Sequence, residues 1–174
     1  MTPLAAVTTR WAAGTLPLRI TAYMPLLELP DELVVSVRCL VTVDDALLMC
    51  VNADGTQPWP GGRREPGETF SDTASREVHE ETGWILDPDS LRPLGWLHLE
   101  HLARPPEDYR YPHPDLLQVV FAGHARNRDH GGDGYWTDMD GYEGRSCLVP
   151  RQNAVSRLAG DRMSQLARPF LARL

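Results

Sequence analysis

The chain has 174 residues, 42% of them hydrophobic and 24% charged, which excludes a disordered or fibrous polymer and leaves room for one compact domain over residues 1–174. Its formal charge is −7, the wrong sign for a protein that grips nucleic acid through phosphates. All 17 basic residues are Arg, so lysine chemistry is excluded. Cys39, Cys50 and Cys147 are odd in number and form no C-x-x-C pair. They predict buried free thiols in place of a disulfide framework or a thiolate zinc site. No apolar run approaches the ~20 residues of a membrane helix, and Arg10, Gly14, Pro17 and Arg19 interrupt any secretory signal. A cytoplasmic protein with neither membrane nor nucleic-acid partner is expected.

In chain order, the proline-containing first 30 residues read as an irregular lead-in with one strand near Leu16–Met24. Val34–Val43 is a β-branched run and predicts a strand buried on both faces. Asp44-Asp45 makes a turn, and Ala46–Val51 returns as the second strand of a hairpin. Asn52–Gln57 is a polar loop, and Pro58–Glu68, dense in glycine and proline, is a loop with special backbone angles. A helix should follow at once: Thr69 and Asp72 fit a capping box, and Gly83 stands where a left-handed cap ends it. Leu94–Leu102 and Leu116–Ala125 predict further strands, separated by the loop Ala103–Pro114 and followed by a long loop, Arg126–Gly144. From Arg151 to Leu174 an apolar stripe through Met163, Leu166, Phe170 and Leu174 predicts a helical segment broken at Gly160.

The chemistry concentrates on the first helix. At about 100° per residue, Ala74 and Val78 join Phe70 in a stripe to be buried, while Glu77, Glu80 and Glu81 share an arc of about 100° overlapping its edge. Like charges at this spacing repel, and partial burial raises the cost. Arg76 lies beside Glu80 and neutralises only part of the cluster. A divalent cation resolves the conflict, because carboxylate oxygens are the hard ligands that Mg²⁺ or Mn²⁺ prefers. Gly61, Gly62 and Gly67 permit close backbone approach, and Glu68 brings a fourth carboxylate. Other chemistries find no support: His98 and His101 would face opposite sides of a strand, and nucleophile-elbow, P-loop and dinucleotide fingerprints are absent.

Gly62, Glu68, Arg76-Glu77-Val78, Glu80-Glu81, Gly83 and Trp84 stand in the order G-x5-E-x7-R-E-U-x-E-E-x-G-U, where U is bulky and aliphatic. Segment 62–84 therefore resembles the Nudix box, the signature of the Nudix (MutT-like) hydrolases, with Trp84 the one departure. The resemblance implies an α/β fold, a Nudix-type α/β/α sandwich with a mixed β-sheet. It also implies hydrolysis of a nucleoside diphosphate linked to another moiety, with Mg²⁺ or Mn²⁺ as cofactor.

Carried over by position, Glu77, Glu80 and Glu81 are implied metal ligands, Glu68 an auxiliary ligand or orienting acid, and Arg76 the partner that holds a box glutamate. The Gly61 carbonyl is an implied extra ligand. The general base is a box glutamate or an acid from a later loop, with Glu143 the first candidate and Glu100 and Glu107 in reserve. Trp59, Arg63, Arg64, Tyr109, Tyr111 and His113 lie on loops that could reach the cleft, where aromatics would stack on a base and arginines would meet phosphate. The Tyr109–Pro114 stretch is the preferred specificity element. Nucleotide sugar, ADP-ribose-like compound and nucleoside triphosphate stay open as substrates, and a homodimer stays open too. The alternative is a non-catalytic Nudix-fold nucleotide sensor, which would not need four acids at these positions.

Overall fold

Residues 1–11, 16–25, 28–52, 55–57, 59–129, 143–157 and 164–174 are described by the structure, a computed structural model. Among them are nine strands, β1 (Ala5–Trp11), β2 (Leu16–Tyr23), β3 (Val34–Val43), β4 (Ala46–Asn52), β5 (Gly55–Gln57), β6 (Trp84–Leu86), β7 (Arg92–His101), β8 (Asp115–Arg128) and β9 (Glu143–Pro150). Three helices accompany them, α1 (Phe70–Thr82), α2 (Arg151–Arg157) and α3 (Ser164–Leu171).

The sheet runs β1-β2-β7-β8-β3-β4-β5, with β6 beside β8 and β9 beside β4. It is mixed: β3 and β8 pair in parallel at its centre, from Val34 opposite Leu117 to Thr42 opposite His124. Their β-branched and aliphatic side chains alternate between two buried layers, as strands covered on both faces require. One layer joins Val37, Cys39, Val41, Val119 and Phe121 to Ala74 and Val78 of α1. The other joins Leu40, Met49, Leu99, Leu116 and Val120 to Ala154 of α2 and to Leu166, Ala167 and Phe170 of α3. Helix, sheet and helices form the α/β/α sandwich that the box resemblance implies.

Helix α1 begins and ends where its sequence signals stand. Thr69 and Asp72 cap reciprocally, the Asp72 amide donating to the Thr69 hydroxyl and the Thr69 amide to the Asp72 carboxylate, both at 3.1 Å. Gly83, at φ 71°, donates its amide to the His79 carbonyl and closes the last turn.

Several elements differ from the sequence reading. Ala5–Trp11 is a strand, not an irregular lead-in, because its backbone pairs with β2 along its whole length although few of its side chains are buried. Gly55–Gln57 pairs with β4 in place of forming only a loop. The short β6 is fixed by β8 and not by its own three residues, and β9 follows from pairing with β4. Gly160, Met163 and residues 130–142 of the predicted long loop lie outside the described residues. No described helix is long and apolar enough to cross a membrane.

Candidate active site

The box loop is a strand edge in disguise. β4 pairs with β3 only at Thr42 and Val43, and the earlier part of the β3 edge is taken by segment 60–64. Cys39 donates its amide to Pro60 (2.8 Å), Val37 donates to Gly62 (3.0 Å), and Arg64 donates back to Val35 (3.0 Å). Only glycine fits this approach. A Cβ on Gly61, at φ 145°, would collide with the Val37 carbonyl, and a Cβ on Gly62 would lie 2.5 Å from both carboxylate oxygens of Glu77.

Arg76 is the hub of α1, with all five guanidinium N–H groups engaged. Nε donates to Glu68 at 2.7 Å and one Nη2 proton to its other oxygen at 3.0 Å, a two-point fork. Nη1 donates to Glu77 and Glu80, each at 2.9 Å. The remaining Nη2 proton meets the Arg63 carbonyl at 2.8 Å, tying helix to loop. Glu68 accepts further from the Thr73 hydroxyl (2.8 Å) and the Glu65 amide (3.0 Å). Its oxygens are thus committed to orienting Arg76, and that hydrogen bond holds its carboxyl down at about 2.

Glu77 is the least exposed of the three acids on Arg76, its side chain 13% exposed. Burial pushes its carboxyl above the ordinary range, against the opposing pull of Arg76. Glu81 accepts the Gly61 amide at 3.0 Å, and the Cys50 thiol of β4 approaches the same oxygen at 3.9 Å. Arg38 of β3 donates to the Gly61 carbonyl. That arginine escaped the sequence reading, although a cation within an otherwise uncharged central strand is itself a signal.

One arginine therefore faces Glu68, Glu77 and Glu80, with Glu81 adjoining at Gly61. The oxygen donors suit a hard cation. As they stand, no three Asp, Glu, His or Cys groups among the described residues converge within ligating reach, since Arg76 and the Gly61 amide engage their oxygens.

The expected substrate residues divide. Trp59 is a correction: it is 3% exposed and packs edge-on to Phe170 at 6.1 Å, so its large apolar ring serves the core and is not offered to a base. Arg64 is held by Asp31 at 2.7 Å and by the Glu68 carbonyl at 3.0 Å. Arg63 lies over the Tyr111 ring, 4.9 Å from its centroid. Tyr109 meets Nε2 of buried His101 at 2.6 Å, and His113 packs 5.2 Å from the same ring, so both anchor their loop. Glu100 pairs with Arg19 at 3.1 Å, and Glu107 is exposed. Glu143 opens β9 opposite Asn52; its side chain lies outside what is described.

The NUDIX domain profile matches residues 32–166. In fold the chain is similar to the crystal structure of the Bacillus subtilis pyrophosphohydrolase BsRppH, with a TM-score of 0.63 and 16% identity, covering 96% of this chain and 94% of that one. It is also similar to a NUDIX hydrolase from Nitrosomonas europaea, with a TM-score of 0.54 and 20% identity over 79% of this chain and 88% of that one. In sequence, the 8-oxo-dGDP phosphatase NUDT18 of Mus musculus is 43% identical over 56 residues, a stretch covering 29% of this chain and 17% of the mouse protein. The human NUDT18 is 43% identical over 51 residues, 26% of this chain and 16% of the human protein. With the profile spanning strands β3 to β9, the capped helix and its clustered acids, the chain belongs to the NUDIX family.

Proposed function

We propose that this chain is a divalent-cation-dependent pyrophosphohydrolase, cleaving the phosphoanhydride bond of a nucleoside diphosphate linked to another moiety. One observation carries the reading: Glu68, Glu77 and Glu80 converge on the guanidinium of Arg76, a concentration of carboxylates at a part-buried site that suits a hard cation. Glu77, Glu80, Glu81 and the Gly61 carbonyl would hold Mg²⁺ or Mn²⁺, which would supply charge neutralisation on the phosphates and acidify the attacking water.

The chain's own residues do the positioning. Glu68 fixes Arg76, Arg76 aims Glu77 and Glu80, and the Gly61 amide aims Glu81. Arg38 places positive charge beside the Gly61 carbonyl, where a phosphate oxygen would gather its own charge as the bond breaks. Proton removal from the attacking water falls to a box glutamate or to Glu143. The similar proteins, a pyrophosphohydrolase and an 8-oxo-dGDP phosphatase, support a phosphorylated nucleotide as substrate. A cytoplasmic setting belongs to the same reading, in accord with three free cysteines.

The test is the appearance of nucleoside monophosphate, read by chromatography, from a panel of nucleoside diphosphate derivatives with Mg²⁺ and with Mn²⁺. Glu80→Gln should lower turnover by about 10²-fold or more while leaving the thermal midpoint unchanged. Silence of the wild type across the panel overturns the hydrolase and favours the sensor.

A further inference from the structure

A cleft of about 460 Å³ opens between the box loop and the loop joining β7 to β8, with Arg63, Arg64, Arg110 and Tyr111 in its wall. Three arginines there face two carboxylates, Asp31 and Glu65, in a chain whose net charge is −7. Asp31 is taken by Arg64. Arg63 has the Tyr111 ring as its platform, and among the described residues neither it nor exposed Arg110 has a carboxylate within ion-pair distance.

The wall is built, not incidental. His101 is 6% exposed, and the Pro114 carbonyl can only accept, so its Nδ1 carries the proton of the 2.8 Å bond between them. Burial raises the Tyr109 hydroxyl above its ordinary range, and that hydroxyl bonds the other ring nitrogen, Nε2, at 2.6 Å. Tyr109 then packs edge-on against Tyr111 at 5.4 Å. The clamp sets Arg110 and Tyr111 opposite the box loop.

The cleft also adjoins the acids. Arg63 follows Gly62, whose Cα lies against Glu77, and its carbonyl is held by Arg76. In the register Ser36 stands directly opposite Arg63, and Arg38, two residues on, shares the Ser36 face of the strand. Ser36 is 4% exposed and is not part of the cleft wall, so the polar groups offered to the cleft are those of Arg63, Arg64 and Arg110 with Asp31 and Glu65.

We infer that this cleft is a subsite for a phosphate that the substrate carries beyond the cleaved anhydride, with Arg63 and Arg110 as its cations. Arg63 and Arg110 then determine specificity, favouring substrates with an extra phosphate over those ending in a neutral group. The phosphate is either the end of a polyphosphate chain or a monoester on the distal moiety. The inference rests on the pyrophosphohydrolase reading for its placement in a reaction, but the binding itself does not.

Calorimetry with inorganic tripolyphosphate and with ribose 5-phosphate, in EDTA, tests it. Wild type should bind one or both, which identifies the source, and R63A and R110A should each weaken that binding about ten-fold. R168A, an exposed arginine of α3, should bind as wild type does. No binding of either probe, or equal losses in all three variants, overturns the subsite. With a matched nucleoside diphosphate and triphosphate, R63A and R110A should lower kcat/KM for the triphosphate about ten-fold more than for the diphosphate if the polyphosphate is the ligand. Equal losses on both then overturn it. Arginine-dependent binding in a protein that hydrolyses no nucleotide upholds the subsite while the hydrolase reading falls.

Discussion

The Glu77 carboxylate lies against the Cα of Gly62, so close that any Cβ there would sit 2.5 Å from both of its oxygens. The first glycine of the box is therefore a space left for the acid. Gly62→Ala should displace Glu77 and cut turnover about 10²-fold, at a stability cost of about 1–3 kcal/mol. Turnover within a factor of two of wild type, in a variant of matched thermal midpoint, would show that the acid's position does not matter.

Gly61 and Gly67 separate two reasons for glycine. Both have positive φ, 145° and 88°, but a Cβ on Gly61 strikes the β3 backbone whereas one on Gly67 meets nothing within 4 Å. Gly67→Ala should cost about 1–2 kcal/mol, the left-handed penalty alone. Gly61→Ala should cost about 3 kcal/mol or more. Urea midpoints of the two variants check the order.

Protonation of Glu68 has a predictable sign. Its carboxyl sits at about 2 against an ordinary value of 4.5, so the folded state favours the charged form. Its contribution is complete above the ordinary value and fades as pH falls toward about 2. The stability gap between wild type and Glu68→Gln should stay constant from about pH 7 to about pH 5 and narrow below. A gap undiminished near the low end would show that the carboxylate's charge is not what stabilises the fold.

Glu77 has the opposite sign. Burial raises its carboxyl, so its charged form opposes folding above the raised value, and this cost disappears as the pH drops below the ordinary carboxylate range. In EDTA at about pH 7, Glu77→Gln should melt above wild type, and the advantage should be gone near about pH 4. With metal present, turnover should fall about 10²-fold or more. Melting below wild type at neutral pH would mean that the Arg76 contact outweighs burial.

Trp59→Phe distinguishes a core ring from a stacking platform. The smaller ring should cost about 1–2 kcal/mol through lost packing against Phe170 while leaving KM for the nucleotide unchanged. A several-fold rise in KM would return Trp59 to the substrate.

Local rules settled α1 and its acids before any folding was considered. Thr69, Asp72 and Gly83 determine where the helix starts and stops, because capping involves only neighbouring residues. The arc of Glu77, Glu80 and Glu81 follows from helical period alone. Strand β3 was legible for the same reason, its β-branched run being long enough to speak for itself. Strands β1, β6 and β9 were not, since partners distant in the chain supply their hydrogen bonds. Which loop residues serve the core and which face a cleft was likewise beyond local pattern. Trp59 and Tyr111 look alike in sequence, yet Phe170 covers one while His101 and Tyr109 hold the other beside Arg63. Solvent exposure is set by chain brought from far away, and only the tertiary structure brings it there.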